Sequence, residues 1–211
     1  MFRVKICGVT RPVDVRMIVK AGADAIGFQM SMGPRKITPI QAKRLVRLVP
    51  RKVTPVGVFV NEPLSKVKKL IEFCGFRAVQ LHGDEAKAYC EKLKVPVIKV
   101  IRMKRADSYR HYLGFRVAAY LLDSYNKNIP GGTGKSFQFL WARKAVQELP
   151  APVLVAGGLT SGNVLKAIGS SHAFGVDVSS GVEIRPGVKD PRKVIHFIRR
   201  SQKAFQSRKG N

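Results

Sequence analysis

The chain has 211 residues, 45% of them hydrophobic and 25% charged, a balance that supports one sizeable core and argues against intrinsic disorder. Thirty-nine lysines and arginines against 13 acids give a formal charge of +26, and the three cysteines can neither all pair nor form a Cys-x-x-Cys unit, which excludes a disulfide scaffold and a cysteine zinc site. No apolar run is long enough to cross a bilayer, and the start, Met1-Phe2-Arg3-Val4-Lys5-Ile6-Cys7, lacks the apolar core of a signal peptide, so a reduced, cytoplasmic protein with no membrane partner is expected.

Taken in chain order, short β-branched runs alternate with amphipathic stretches. A strand at 4–7 precedes a helix near 13–21, then a strand at 25–28 and a helix near 39–49. The pattern continues with strands at 55–60, 78–81, 97–101 and 117–123, followed by helices near 64–74, 85–93, 106–113 and 140–149 respectively. It ends with a strand at 153–156, a helix near 162–169, a strand at 174–178 and a helix at 191–205. Strict alternation implies a parallel sheet with crossover helices, and eight units in this length suit a closed α/β barrel of the (β/α)8 TIM type. An open doubly wound sheet is disfavoured because Cys7-Gly8-Val9-Thr10 supplies no Gly-x-Gly-x-x-Gly turn. One barrel domain over 1–205 and a basic, frayed tail over 206–211 are predicted.

The basic excess is spread along the chain, densest over 35–52 and over 192–211, where seven lysines and arginines meet no acid. Aromatics make up 8%, with no basic–aromatic interleaving suited to stacking bases. A solvated basic surface is the plainer reading, with nucleic acid attracted only by non-specific charge. A barrel turned polyanion binder stays as an alternative of another class.

In a barrel of this kind the site lies where the strands' C-terminal ends meet the following loops. Those ends read Cys7-Gly8, residues 29–36, Asn61-Glu62, His82-Gly83-Asp84, Arg102, Asp123-Ser124, Gly157-Gly158-Leu159 and Ser179-Ser180-Gly181. The loops after the seventh and eighth strands suit a phosphate, because Gly157, Gly158, Ser179, Ser180 and Gly181 let backbone N–H groups approach its oxygens; otherwise they only shape tight turns. Residues 128–135 have the composition of a phosphate-binding P-loop but not its spacing, since Ile129 stands where the first glycine belongs, and a ligand-covering loop is expected instead.

Cys7 should point inward with Lys5, and at a positive rim its thiol would ionise and act as base or nucleophile; the alternative is a small buried hydrophobe. Asp123 closes a very apolar strand, where the protonated carboxyl of a general acid is favoured; the alternative is a turn cap. His82 and Asp177 are further candidates for substrate contact. Arg35 either grips a carboxylate in a bidentate fashion or is one more surface arginine. Cys74 and Cys90, on predicted helices, read as core residues.

Seven stretches, in order along nearly the whole chain, resemble phosphoribosylanthranilate isomerase of tryptophan biosynthesis. They are Val4-Lys5-Ile6-Cys7-Gly8-Val9-Thr10, Ala21-Gly22-Ala23-Asp24-Ala25-Ile26-Gly27-Phe28, Val56-Gly57-Val58-Phe59-Val60-Asn61, Val79-Gln80-Leu81-His82-Gly83-Asp84-Glu85, Gly131-Gly132-Thr133-Gly134-Lys135-Ser136-Phe137, Ala156-Gly157-Gly158-Leu159 and Val176-Asp177-Val178-Ser179-Ser180-Gly181-Val182-Glu183. The resemblance implies an Amadori rearrangement of a small phosphorylated substrate, with Cys7 as general base, Asp123 as general acid, Arg35 on the anthranilate carboxylate and the two glycine-serine loops on the phosphate. It implies no metal or other cofactor, and a monomer or homodimer. Two stretches depart from the family: Gln138-Phe139 replaces its usual Asp-Trp, and residues 29–36 lack its aromatic and Ser-Pro-Arg elements. Other phosphosugar isomerases or epimerases on the same barrel would be expected to show a carboxylate in place of Cys7, or a metal-binding His and Asp set, and neither pattern is visible.

Overall fold

A computed structural model describes residues 1–123 and 136–208, with the backbone alone for residues 136–139. Eight strands form a closed barrel, each parallel to the next: β1 (Val4–Ile6), β2 (Ala25–Gln29), β3 (Thr54–Phe59), β4 (Ala78–Leu81), β5 (Val97–Arg102), β6 (Ala119–Asp123), β7 (Val153–Ala156) and β8 (Gly175–Val178). The ring shuts where β8 pairs with β1, placing Lys5 opposite Asp177, while on its other side Lys5 pairs with Ala25 of β2.

Alternation along the strands builds two cores. The inward set at the strands' N-terminal ends, including Ala25, Val56, Ala78, Ile98, Ala119 and Leu154 with Phe2, forms an apolar plug inside the ring. The outward set, including Ile6, Ile26, Phe28, Phe59, Leu81 and Val176, packs beneath the helices. Stepping two residues at a time along the inward set reaches Lys5 and Cys7, Gln80 and His82, Asp123, and Asp177 and Ser179. The barrel is therefore apolar at one end and polar at the other.

The covering helices are α1 (Pro12–Ala21), α2 (Pro39–Val46), α3 (Leu64–Cys74), α4 (Lys87–Glu91), α5 (Ser136–Glu148), α6 (Val164–Ser171) and α7 (Pro191–Ser207). Local chemistry sets several of their ends. Thr38 and Gln41 form a reciprocal capping box on α2, Asp190 accepts from the Arg192 and Lys193 N–H groups at the start of α7, and Gly22 and Gly75 close α1 and α3 in the left-handed conformation.

The helix expected over 106–113 is absent: only a 3-10 turn, Arg110–Tyr112, forms there. The segment is too short to nucleate a helix by itself, and at its end the Tyr120 hydroxyl from β6 meets the carbonyls of Tyr112 (2.9 Å) and Phe115 (3.0 Å). The tail also begins later than expected. Gln206 and Ser207 belong to the last turn of α7, and Arg208 donates to the carbonyls of Ala173 and His172 at 2.9 and 3.2 Å. Residues 209–211 lie outside the described residues, as do Ser124 and the expected covering loop at 128–135. One element was not anticipated, a hairpin of β9 (Glu183–Arg185) and β10 (Val188–Lys189) that follows a 3-10 turn, Ser180–Val182.

Candidate active site

Cys7 follows β1, and its N–H extends the ladder by donating to the Val178 carbonyl at 2.8 Å. Its side chain is buried toward β2, where Gly27 leaves room for it: a methyl group on Gly27 would lie 2.7 Å from Cys7 Sγ and 3.1 Å from Lys5 Nζ. Lys5 is fully buried, and its ammonium donates to Asp177 Oδ1 at 2.8 Å. Asp177, expected to touch substrate, is thus an ion-pair partner on the inner wall.

Burial works against the expected ionisation of Cys7. Burial dominates and pushes the thiol above its ordinary value; Lys5 and Lys189 pull it down, and Asp177 adds to the upward shift. A positive rim does not by itself yield a thiolate when the sulfur has lost its water.

Arg35 reaches the same corner and lies against Gly8, whose φ of +73° and crowded Cα exclude a side chain. Its bidentate carboxylate partner is Glu183: Nε lies 2.9 and 3.1 Å from the two carboxylate oxygens and Nη2 donates to Oε2 at 2.6 Å. Nη1 makes no protein hydrogen bond among the described residues, so one corner of the guanidinium is left for another acceptor. Glu183 also accepts from Lys189 Nζ at 2.8 Å, and that ammonium donates further to the carbonyls of Cys7 (2.6 Å) and Ser179 (3.2 Å). Burial works against charge on Glu183, but Arg35 and Lys189 together hold its carboxyl below the usual glutamate range. Burial draws Lys189 below the usual lysine value, with Glu183 opposing it.

Across the rim, Asp123 at the end of β6 lies 3.3 Å from His82 Nε2, and His82 Nδ1 lies 3.4 Å from the amide nitrogen of buried Gln80. The loop that carries His82 is fixed from below by a buried ion pair. Lys99 donates to Glu85 at 2.7 Å, and Glu85 accepts from the backbone N–H groups of Asn61 and Gly83.

The two glycine-serine loops meet. Gly157 and Gly158 take φ values of +80° and +63°, and Asn163 braces their turn by donating to the Gly158 carbonyl at 2.9 Å and accepting from the Thr160 N–H at 2.8 Å. Gly181 packs so tightly on the Leu159 carbonyl that no side chain fits. The N–H groups of Gly158, Ser180 and Gly181 find no protein acceptor among the described residues, and Gly158 and Ser180 are exposed. The Ser179 hydroxyl is buried without a partner.

The structure therefore gathers Cys7, Arg35, Asp177, Ser179, Ser180 and Gly181 around β1 and β8, with Gly157 and Gly158 in the adjoining loop and His82 with Asp123 as a second pair. Sequence reading missed Glu183 and Lys189 as a buried bridge, although Glu183 ends one of the recognised motifs; nothing marks Lys189 among 39 basic residues. Cys74 and Cys90 are buried on helices as expected, and burial raises the thiol of Cys74 to about 11. Gln138 and Phe139 lie in α5, where their side chains are outside the described set. Among the described residues no helix is long and apolar enough to cross a membrane, and no group of three His, Cys, Asp or Glu side chains could hold a metal ion.

Comparison with known proteins shows the family and the fold. The family described as N-(5'-phosphoribosyl)anthranilate (PRA) isomerase matches residues 4–200. The N-(5'-phosphoribosyl)anthranilate isomerase of Pelobacter propionicus is 43% identical over 200 residues, covering 94% of this chain and 95% of that one. The crystal structure of phosphoribosyl anthranilate isomerase from Thermotoga maritima superimposes with a TM-score of 0.88 at 36% identity, covering 96% of this chain and all of that one. A structure of the isomerase in complex with reduced 1-(o-carboxyphenylamino)-1-deoxyribulose 5-phosphate gives a TM-score of 0.82 at 34% identity, with coverage of 96% and 100%. With its barrel, its rim residues and this full-length likeness, the chain belongs to the N-(5'-phosphoribosyl)anthranilate isomerase family.

Proposed function

We propose that the chain converts N-(5'-phosphoribosyl)anthranilate to 1-(2-carboxyphenylamino)-1-deoxyribulose 5-phosphate, the isomerisation of tryptophan biosynthesis, with Cys7 as base and Asp123 as acid. The observation that carries the assignment of roles is the placement of these two groups on the same polar end of the barrel, one beside two ammonium groups and the other beside His82.

Asp123 gives its proton to the furanose ring oxygen as the C1–O bond breaks, and the nitrogen lone pair forms the C1=N bond of a Schiff base. Cys7, as thiolate, then takes the C2 proton, and the resulting enolamine accepts a proton at C1 while its C2 hydroxyl gives one up, leaving the ketone. The open corner of Arg35 receives the anthranilate carboxylate. The N–H groups of Gly158, Ser180 and Gly181 and the hydroxyl of Ser179 receive the phosphate. His82 orients Asp123, and Asp177 acts through Lys5. Three free, buried cysteines suit a reducing compartment such as the cytoplasm.

Turnover of phosphoribosylanthranilate generated in situ, followed by loss of anthranilate-type fluorescence, tests the activity; no turnover above the uncatalysed rate would refute it. Crystals grown in sulfate test the phosphate loops: an anion is expected beside Gly158 and Ser180, and one held only by lysines elsewhere would count against them.

A further inference from the structure

Most inward positions of the barrel below the rim are apolar, yet β1 and β8 place an ion pair there. Lys5 is wholly buried and Asp177 nearly so, and burying such a pair is seldom more stabilising than an apolar pair of similar volume. The pair lies next to Cys7, and the absence of a side chain at Gly27 keeps the space between Lys5 Nζ and Cys7 Sγ open. Asp177 takes one of the three ammonium donors, and the Cys7 sulfur is within reach of another.

We infer that Lys5 is the positioning residue that makes Cys7 usable as a base: its ammonium, kept charged by Asp177, stands ready to neutralise the thiolate as it forms. The inference rests on the reading of Cys7 as the base. The charged groups facing the sulfur come from every neighbouring element: Lys5 on β1, Asp177 on β8, Lys189 on β10 with its partner Glu183 on β9, and Arg35 from the loop after β2. Among them Lys5 acts on the sulfur most strongly, ahead of the opposing Asp177 and of Lys189. Removing Lys5 together with Asp177 therefore still takes more attraction than repulsion from the sulfur, and ionising a desolvated thiol would lack its strongest counter-charge. Burial opposes charge on Lys5 as well, but Asp177 and Cys7 together hold it above the ordinary lysine value, so the ammonium persists while the sulfur changes state.

The test uses a background in which Cys74 and Cys90 are Ser, so that Cys7 is the one thiol. Its 13Cβ resonance is followed against pH without substrate, and kcat/KM is followed against pH in parallel. The paired variant Lys5→Met/Asp177→Asn removes both charges and leaves neither partner orphaned. The thiol midpoint should rise by at least about one pH unit, and the rising limb of kcat/KM should move with it, so that turnover at neutral pH falls at least tenfold and recovers at higher pH. Gly27→Ala keeps every charge but presses a methyl against both Cys7 Sγ and Lys5 Nζ, so that they must shift; it should move the midpoint the same way, and it serves if the paired variant does not fold. An unchanged 13Cβ midpoint in a folded variant overturns the inference. If the midpoint moves and the rate profile does not follow, Lys5 tunes the thiol but Cys7 is not the base, and the proposed mechanism fails instead.

Discussion

At the scale of single residues, Cys7 and Asp123 need opposite proton states, and each must sit where its role is possible. Burial raises the thiol, so the fraction of thiolate in the empty site is small at neutrality and kcat/KM should climb as the pH rises through the neutral to alkaline range. Cys7→Ser and Asp123→Asn should each lower kcat by about a hundredfold or more, the lower end of general acid–base contributions, with KM changing little because neither group is assigned to ground-state binding. Steady-state kinetics at fixed pH checks this, and near-full turnover in Cys7→Ser would send the search for a base to His82. Cys74→Ser and Cys90→Ser should keep their rates, since both thiols are packed beneath helices. Arg35 and Asp177 illustrate how far single positions could be read. Both were picked out as chemically useful, but their partners in the protein, Glu183 and Lys5, come from strands far away in sequence, 148 and 172 residues respectively.

At the scale of elements, the β9–β10 hairpin joins parts of the site that the barrel alone would leave separate. Through Glu183 and Lys189 it ties the Arg35 loop, the Cys7 carbonyl and the Ser179 carbonyl into one buried network. Removing one member of a buried pair leaves the other uncompensated, so Lys189→Met should cost about 3–5 kcal/mol in denaturant unfolding. Glu183→Gln keeps the volume but weakens the anchor of Arg35. It should raise KM for phosphoribosylanthranilate more than it lowers kcat, whereas an equal fall in kcat and kcat/KM would place Glu183 in the chemical step. The loops after β7 and β8 depend on each other through Gly181 and Leu159. Gly181→Ala should push them apart and weaken phosphate binding, seen as a lower affinity for inorganic phosphate as a competitive inhibitor. The missing fifth helix teaches the complementary lesson. Its segment has helical periodicity, but a stretch this short cannot offset the cost of nucleation, and only a 3-10 turn forms.

At the scale of the whole molecule, the charge of +26 acts as a field more than as a set of contacts. A substrate bearing a phosphate and a carboxylate should be captured faster at low ionic strength. Raising salt should therefore lower kcat/KM while kcat stays level, and a flat kcat/KM would remove steering as an explanation of the basic surface. Binding to duplex or single-stranded nucleic acid should disappear at physiological salt if the attraction is charge alone. Alkaline pH should destabilise the fold. Burial holds the Cys74 thiol up at about 11 and the phenols of Tyr89 and Tyr120 at about 12, while the unfolded chain ionises near the ordinary values of 9.0 and 10.0. The unfolded state therefore loses these protons first, and the stability is complete below about pH 9 and falls as the pH climbs toward the folded values. Thermal unfolding from pH 8 to 11 should show a falling midpoint, less steep when Cys74 is Ala.

The sequence by itself determined the barrel, because a periodicity of strand and helix is written locally and repeated eight times, and parallel order with right-handed crossovers leaves few ways to arrange it. It also determined which residues stand at the rim, since the polar end of each strand follows directly from its apolar body. Only the tertiary structure decided what those residues can do. The Lys5–Asp177 pair beneath Cys7, the Lys189 bridge to a carbonyl 182 residues away and the burial that pushes the thiol up are products of tertiary closure. Proximity and desolvation depend on where distant segments meet, and no local pattern encodes that.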